Sequence, residues 1–268
     1  MTIEFVDVGD VKLSVRVEGS GAPLLLVHGF PLDHTMWNQQ IRAWKESFLV
    51  IAPDLRGFGK SQTIGKGRLS MTRFADDLAV LLDQLKVDVP VVFCGLSMGG
   101  YIAWEFWQRH RRKISEMVLC DTRAAADADV VRHGRYEMAN RVLDEGVAFL
   151  VDGMVEKLFA ESTRRQCSDI VTKMADVMRR TSPIAVAAAL HGMAERLDMT
   201  DQLRNIDVPV RVICGAEDVL TSPAEMQAMA SLFPIASFHL IPDAGHMAPL
   251  ENPTAVNRVL SESTNATP

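Results

Sequence analysis

The chain has 268 residues, 48% of them hydrophobic and 23% charged, with 28 Lys and Arg against 34 Asp and Glu and a formal net charge of −6. That length suits one or two domains with a large core. The acidic balance argues against nucleic acid as a partner, because no basic excess exists to neutralise phosphates. No run of 18 apolar residues occurs, so no membrane span is expected.

Ile3 to Val8 and Val11 to Val17, joined through Gly9-Asp10, read as an antiparallel hairpin. Leu13, Val15 and Val17 alternate with polar residues, which predicts one wet face. Pro23–Val27, Phe48–Ala52, Val89–Cys94, Met117–Cys120 and Val208–Cys214 are mostly continuous apolar runs. Such strands are buried on both faces, as in a parallel sheet covered by helices. Ser237–Ile241 reads as a final strand. Between the runs lie helical patterns: Thr72–Leu85, with Phe74, Leu78, Leu81, Leu82 and Leu85 on one stripe, then Tyr101–Trp107 and Pro223–Leu232. The alternation predicts an α/β fold with a doubly wound, mostly parallel sheet and right-handed crossovers.

From about Arg123 to Leu197 only helical stripes appear: Tyr136–Leu143, Val147–Phe159, Ile170–Met178 and Pro183–Leu197. Ser182-Pro183 is a helix start, with serine as cap and proline in the first turn. The expected organisation is a core domain over 1–122, a helical cap (lid) over 123–197 inserted after the sixth strand, and the second part of the core over 198–268. The tail from Ser261 to Pro268 is polar and expected to fray.

Cys94, Cys120, Cys167 and Cys214 are widely spaced, and three of them end apolar runs. They read as buried thiols in a reducing compartment. No C-x-x-C or H-x-x-x-H spacing suggests a metal. The start, Met1-Thr2-Ile3-Glu4-Phe5, has no basic or apolar leader pattern, so a cytoplasmic location is expected.

Four short motifs carry chemistry. Gly95-Leu96-Ser97-Met98-Gly99 follows a strand and opens a helix. This is the context of a nucleophile elbow, in which Ser97 sits on a strained turn between small residues. The bland alternative is a tight turn capped by a serine. Val27-His28-Gly29-Phe30-Pro31 follows an early strand. A loop there donates one backbone N–H to an oxyanion and the residue after the nucleophile donates another, which assigns the oxyanion hole to Phe30 and Met98. His28 reads as support for that loop rather than as a base.

Gly215-Ala216-Glu217-Asp218 ends another strand, and Ala244-Gly245-His246-Met247 follows the last one. Ser97, Asp218 and His246 then stand in the chain order of Ser, acid, His, with His246 as base and Asp218 as the orienting acid. Asp121 and Glu217 are rival acids, and Asp218 has a turn cap before Ser222-Pro223 as its structural alternative.

With His28-Gly29, Pro53-Asp54-Leu55-Arg56-Gly57-Phe58-Gly59-Lys60-Ser61, the Ser97 elbow, Gly215 with Asp218, and Gly245-His246 before Glu251-Asn252-Pro253, the chain resembles an α/β-hydrolase over nearly its whole length. It is similar to the bacterial carboxylesterases, enol-lactone hydrolases and cofactor-free perhydrolases. The resemblance implies cleavage of a small carboxylic ester or lactone through a Ser97 acyl-enzyme, with no cofactor and no metal. Phe30, Leu32, Met36, Trp37, Met98, Val219, Leu220 and Met247 are the expected pocket residues, and an apolar acyl or alcohol group would suit them. Several of the 14 methionines (Met138, Met154, Met174, Met178, Met193) fall on the helical stripes, where they either line an adaptable pocket or fill the core.

Three alternatives remain open. Enol-lactone or carbon–carbon bond hydrolysis would require lid arginines, from among Arg123, Arg132, Arg135, Arg164 and Arg179, facing Ser97. Perhydrolysis is suggested by Pro31, since similar perhydrolases carry proline there. A ligand-sensing protein with incidental turnover is the third. The natural substrate and the oligomeric state are open.

Overall fold

Along residues 22–27, Leu24 and Leu26 enter the apolar core on one face of a sheet, Leu25 and Val27 enter the core on the other, and all four are fully buried. The same alternation separates Phe93 from Cys94 and Leu119 from Val118. A strand covered on both faces has no side on which water favours polar residues, which is why these runs are continuous in sequence.

The computed structural model describes residues 2–62 and 67–261. Its strands are β1 (Thr2–Asp7), β2 (Lys12–Glu18), β3 (Ala22–Val27), β4 (Phe48–Pro53), β5 (Val91–Leu96), β6 (Ile114–Cys120), β7 (Val210–Gly215) and β8 (Ala236–Ile241). They form one sheet in the order β1-β2-β4-β3-β5-β6-β7-β8. β2 pairs antiparallel with β1 and β4, and every other neighbouring pair is parallel. The expected mostly parallel sheet is therefore present.

The helices are α1 (Asn38–Trp44), α2 (Met71–Gln84), α3 (Met98–His110), α4 (Asp129–Glu145), α5 (Ala148–Leu158), α6 (Glu161–Gln166), α7 (Ser168–Arg180), α8 (Pro183–Ala194), α9 (Pro223–Ala230), α10 (Ala248–Glu251) and α11 (Pro253–Ser261). Phe74 and Leu78 of α2, Ile102 and Phe106 of α3 and Met226 of α9 pack into one core. Ile41 and Trp44 of α1 and Val256 and Val259 of α11 pack into the other. Helices thus cover both faces, as a doubly wound sheet requires. No strand lies among α4–α8, between β6 and β7. α8 is clamped to the core where the Leu69 N–H donates to the Ala188 carbonyl at 3.1 Å.

Some expectations are corrected. The second hairpin strand has no wet face: Ser14 is fully buried and Arg16 nearly so. The chain around Ser61 and Asn38 packs over the face that was expected to be wet. The Ser14 N–H donates to Ser61 Oγ at 2.8 Å, and Arg16 pairs with Glu18 at 2.8 Å. Cys94, Cys120 and Cys214 are buried free thiols, but Cys167 is exposed, because it falls in the short link between α6 and α7. α1, α6, α10 and α11 were not expected. Only α11 carried a usable signal, the helical spacing of Val256, Val259 and Leu260, which are buried. Beyond Ser261 the polar tail lies outside the described residues.

Candidate active site

Ser97 joins β5 to α3 with φ 53° and ψ −109°. A non-glycine residue in that region carries strain of order 1–3 kcal/mol, which persists only when the surroundings impose it. Here they do. The Ser97 N–H donates to the Cys120 carbonyl at 2.9 Å, and Thr122 Oγ1 donates to the Ser97 carbonyl at 2.7 Å. The turn closes so tightly that a Cβ on Gly95 would lie 2.5 Å from the Gly99 carbonyl carbon, and one on Gly99 would lie 2.5 Å from the Val27 carbonyl oxygen. The two glycines of the motif are a steric requirement of this crossing.

His246 and Asp218 come from loops after β8 and β7. Those loops touch at Gly215, where a Cβ would collide with the Gly245 carbonyl. His246 Nε2 lies 2.9 Å from Ser97 Oγ, and His246 Nδ1 lies 2.9 Å from Asp218 Oδ2. His246 and Asp218 are both buried. Asp218 Oδ1 accepts the N–H groups of Leu220 (2.7 Å) and Thr221 (3.0 Å), and Oδ2 accepts the Thr221 hydroxyl at 2.5 Å. Burial works against its charge, but the facing imidazole and these donors outweigh it and hold the carboxyl below the usual range.

The rival acids stand elsewhere. Glu217 is exposed. Asp121 is fully buried, and its Oδ1 accepts the Gly215 N–H at 2.8 Å. Burial first, and then the nearby Asp218 charge, push the Asp121 carboxyl far above the usual range, so it stays protonated. His28 braces its own loop through both ring nitrogens. The Leu55 N–H donates to His28 Nε2 at 3.0 Å, which leaves the proton on Nδ1, 2.9 Å from the Gly29 carbonyl. Complete burial lowers the His28 pKa and keeps the ring neutral.

Met98 is the first residue of α3, so its N–H has no partner within the helix and points with the positive end of the helix dipole. Phe30 borders the same cavity as Ser97 and His246. The carbonyl of the next residue, Pro31, accepts from Thr181 Oγ1 at 3.2 Å, which ties this loop to the end of α7.

A cavity of about 570 Å³ opens above Ser97. Its wall includes Met138 of α4, Leu150 and Met154 of α5, Leu190 and Met193 of α8, and Val219 and Leu220 after β7. Leu32, Trp37 and Met247 do not line it; they are buried in the core beneath the other face of the sheet. The reason is a reversal at Gly29, whose carbonyl accepts the Leu32 N–H at 3.0 Å. The chain then turns into a short 3-10 helix, 34–37, that carries Met36 and Trp37 inward. Met247 leads into α10 and faces the same core. Met174 and Met178 also fill core, whereas Met138, Met154 and Met193 line the cavity. Of the arginines, Arg123 and Arg135 reach the wall.

Glu251 was noted only as part of a motif, yet it organises the histidine loop. Its Oε1 accepts the N–H groups of Gly245 (2.9 Å) and Met247 (3.1 Å), flanking His246, and its Oε2 accepts the Ala160 N–H at 2.8 Å. Burial raises its pKa against these donors.

Two clusters bring possible metal ligands within 4.8 Å, Asp33–His34–Asp54 and Asp121–Cys214–Asp218. Neither donor set suits a cation. In the first, the His34 ring and N–H already occupy Asp54 Oδ1, at 2.7 and 2.9 Å. In the second, burial holds Asp121 and Cys214 in their protonated forms.

Hydrogen-bonded Ser97, His246 and Asp218, on the loops after β5, β8 and β7 of a mostly parallel sheet, match the arrangement of a hydrolase fold. The chain belongs to the alpha/beta hydrolase fold family, whose model matches residues 22–253. It is similar to a thermophilic esterase from Thermogutta terrifontis, solved with malate bound, at 42% identity and a TM-score of 0.93 over 95% of this chain and 93% of that one. It is also similar to the enol-lactonase of Burkholderia xenovorans LB400, at 26% identity and a TM-score of 0.89 over 97% and 98% of the two chains. Among curated proteins, 3-oxoadipate enol-lactonase 2 of Acinetobacter baylyi is 26% identical over 94% of this chain and 92% of that protein. The chain is accordingly a hydrolase of this family. No helix among the described residues is long and apolar enough to cross a membrane.

Proposed function

We propose that the chain cleaves a small carboxylic ester, or a lactone, through an acyl-enzyme on Ser97. Ser97 Oγ attacks the carbonyl carbon while His246 Nε2 takes its proton. The carbonyl oxygen becomes an oxyanion received by the N–H groups of Phe30 and Met98. The tetrahedral adduct collapses, the C–O bond breaks, and His246 returns the proton to the leaving oxygen. Water then gives a proton to His246, attacks the acyl carbon and releases the acid, and the proton goes back to Ser97. Asp218 holds the imidazole with its Nδ1–H inward and stabilises the imidazolium.

The observation that carries this reading is the continuous relay at 2.9 Å on either side of His246. Similarity to an esterase and to enol-lactonases supports the ester and lactone classes. The helices of 123–197 act as a lid over Ser97, and buried thiols in the core suit a cytoplasmic protein. A panel of p-nitrophenyl esters of graded chain length, run beside lactones, tests the reading. Turnover of a short ester or lactone, with labelling of Ser97 by a fluorophosphonate, is the expected result. No labelling and no turnover would overturn it.

A further inference from the structure

The peptide that joins Gly29 to Phe30 carries the N–H assigned to the oxyanion, and that N–H donates to no acceptor among the described residues. A trans peptide is a rigid plane with its C=O and N–H pointing in opposite directions, so whatever holds the Gly29 carbonyl also aims the Phe30 N–H. Two donors hold it, the Leu32 N–H at 3.0 Å and His28 Nδ1 at 2.9 Å. A Cβ on Gly29 would come within 3.1 Å of Leu96 Cδ2, so this peptide lies against the residue that precedes Ser97.

The Leu32 N–H belongs in turn to the peptide that joins Pro31 to Leu32. The carbonyl of that peptide accepts from Thr181 Oγ1 at 3.2 Å. Thr181 is buried at the end of α7, where its own N–H donates to the Met178 carbonyl at 3.1 Å. Its hydroxyl has one proton and two acceptors at 3.2 Å, the Pro31 and Val177 carbonyls, and shares the proton between them. A chain of hydrogen bonds thus runs from the Thr181 hydroxyl to the Pro31 carbonyl, from the Leu32 N–H to the Gly29 carbonyl, and out through the Phe30 N–H. Each bond in such a chain polarises the next, by about 10–30% per bond.

We propose that Thr181 is a positioning residue, acting from the helical segment 123–197 through two peptide planes to aim and polarise the Phe30 N–H. The inference rests on the Ser97 reading above, with Phe30 as an oxyanion donor. Charge on the carbonyl oxygen develops in the transition state, so a weakened donor lowers kcat more than it raises KM. A residue that only shaped the cavity would mainly move KM, because the cavity wall meets the substrate in its ground state as well. Removing an oxyanion donor outright costs about 10²–10³-fold in kcat. Thr181 acts on one donor from two peptides away, so its loss is expected to cost about three- to tenfold.

The test compares Thr181→Val, which keeps the shape and removes the hydroxyl, with Thr181→Ser, which keeps the hydroxyl. Hydrolysis of p-nitrophenyl butyrate gives kcat and KM. A trifluoromethyl ketone of similar chain length gives a second readout: Ser97 Oγ adds to its carbonyl carbon, His246 takes the serine proton, and the alkoxide so formed occupies the oxyanion position. Thr181→Val is expected to lower kcat by about three- to tenfold, to leave KM within about twofold, and to raise the ketone's inhibition constant by the same factor as kcat falls. Thr181→Ser should recover most of both. Thr181→Ala also lacks the hydroxyl and should match the valine variant, which covers the case in which valine disturbs packing. A change in KM alone, an unchanged kcat and inhibition constant in both hydroxyl-free variants, or a loss that serine does not recover overturns this inference. In each of those cases wild-type turnover and fluorophosphonate labelling of Ser97 leave the Ser97 reading standing. Neither turnover nor labelling in the wild type overturns both.

Discussion

The Gly215 N–H donates to Asp121 Oδ1 at 2.8 Å, which ties the end of β6 to the turn that carries Asp218. One buried acid is held neutral and structural beside another that is held ionised and faces the imidazole. Asp218→Asn is expected to lower turnover by about ten-thousandfold, the usual loss when an amide fixes the wrong tautomer. Asp121→Asn keeps a neutral acceptor for Gly215 and should leave turnover near that of the wild type. Steady-state rates of the two variants check this, and the reverse ranking would move the acid to the end of β6.

The same contrast has a stability consequence. Asp121 has a folded pKa raised above its unfolded value of about 3.9. Its contribution is therefore fully present below about pH 4 and is lost as pH rises toward the folded value, since only the unfolded chain then releases the proton. Asparagine removes this slope. Thermal unfolding should show Asp121→Asn gaining in Tm on the wild type as pH rises from about 4 toward neutrality.

Ser97→Ala is expected to abolish ester hydrolysis, by on the order of a millionfold in turnover, with folding retained. Alanine removes only Oγ, and the bonds that shape the turn use the Ser97 backbone. Circular dichroism and a kinetic assay check the two halves, and more than a few per cent of residual turnover would refute the assignment.

kcat/KM should rise with pH along one acid limb rather than two. Only neutral imidazole accepts the Ser97 proton. Asp218 adds no second limb near neutrality, because its donors hold it below the usual carboxylate range. A pH–rate profile with slope one on the acid side is the expected result.

Glu251→Ala strips an acceptor from three N–H groups, those of Gly245, Met247 and Ala160. Each orphaned buried donor costs about 1–3 kcal/mol. The variant should unfold at lower denaturant, and the loosened His246 loop should lower kcat more than it raises KM. Glu251→Gln keeps one acceptor oxygen and should recover part of both.

The sequence alone marked the sheet, the sharp turn at Ser97 and the three side chains, Ser97, Asp218 and His246, that the fold brings within hydrogen-bonding distance. Continuous apolar runs mark strands buried on both faces, and Gly95, Gly99 and Gly215 stand where the backbone leaves no room for a Cβ. These are local demands of sterics and burial, and a short window of residues states them. What only the tertiary structure decided depends on how distant segments meet. Leu32, Trp37 and Met247 lie beside the motifs in sequence, yet the reversal at Gly29 sends the first two, and the lead into α10 the third, into the opposite core. β2 reads as half-wet until the chain around Ser61 and Asn38 covers its polar face. The ionised and neutral roles of Asp218 and Asp121 follow from which donors and charges surround each carboxyl. So does the pairing of Asp127 with both Arg135 and Arg196, since arginines 61 residues apart in the chain meet on one carboxylate through a relation that no local pattern encodes.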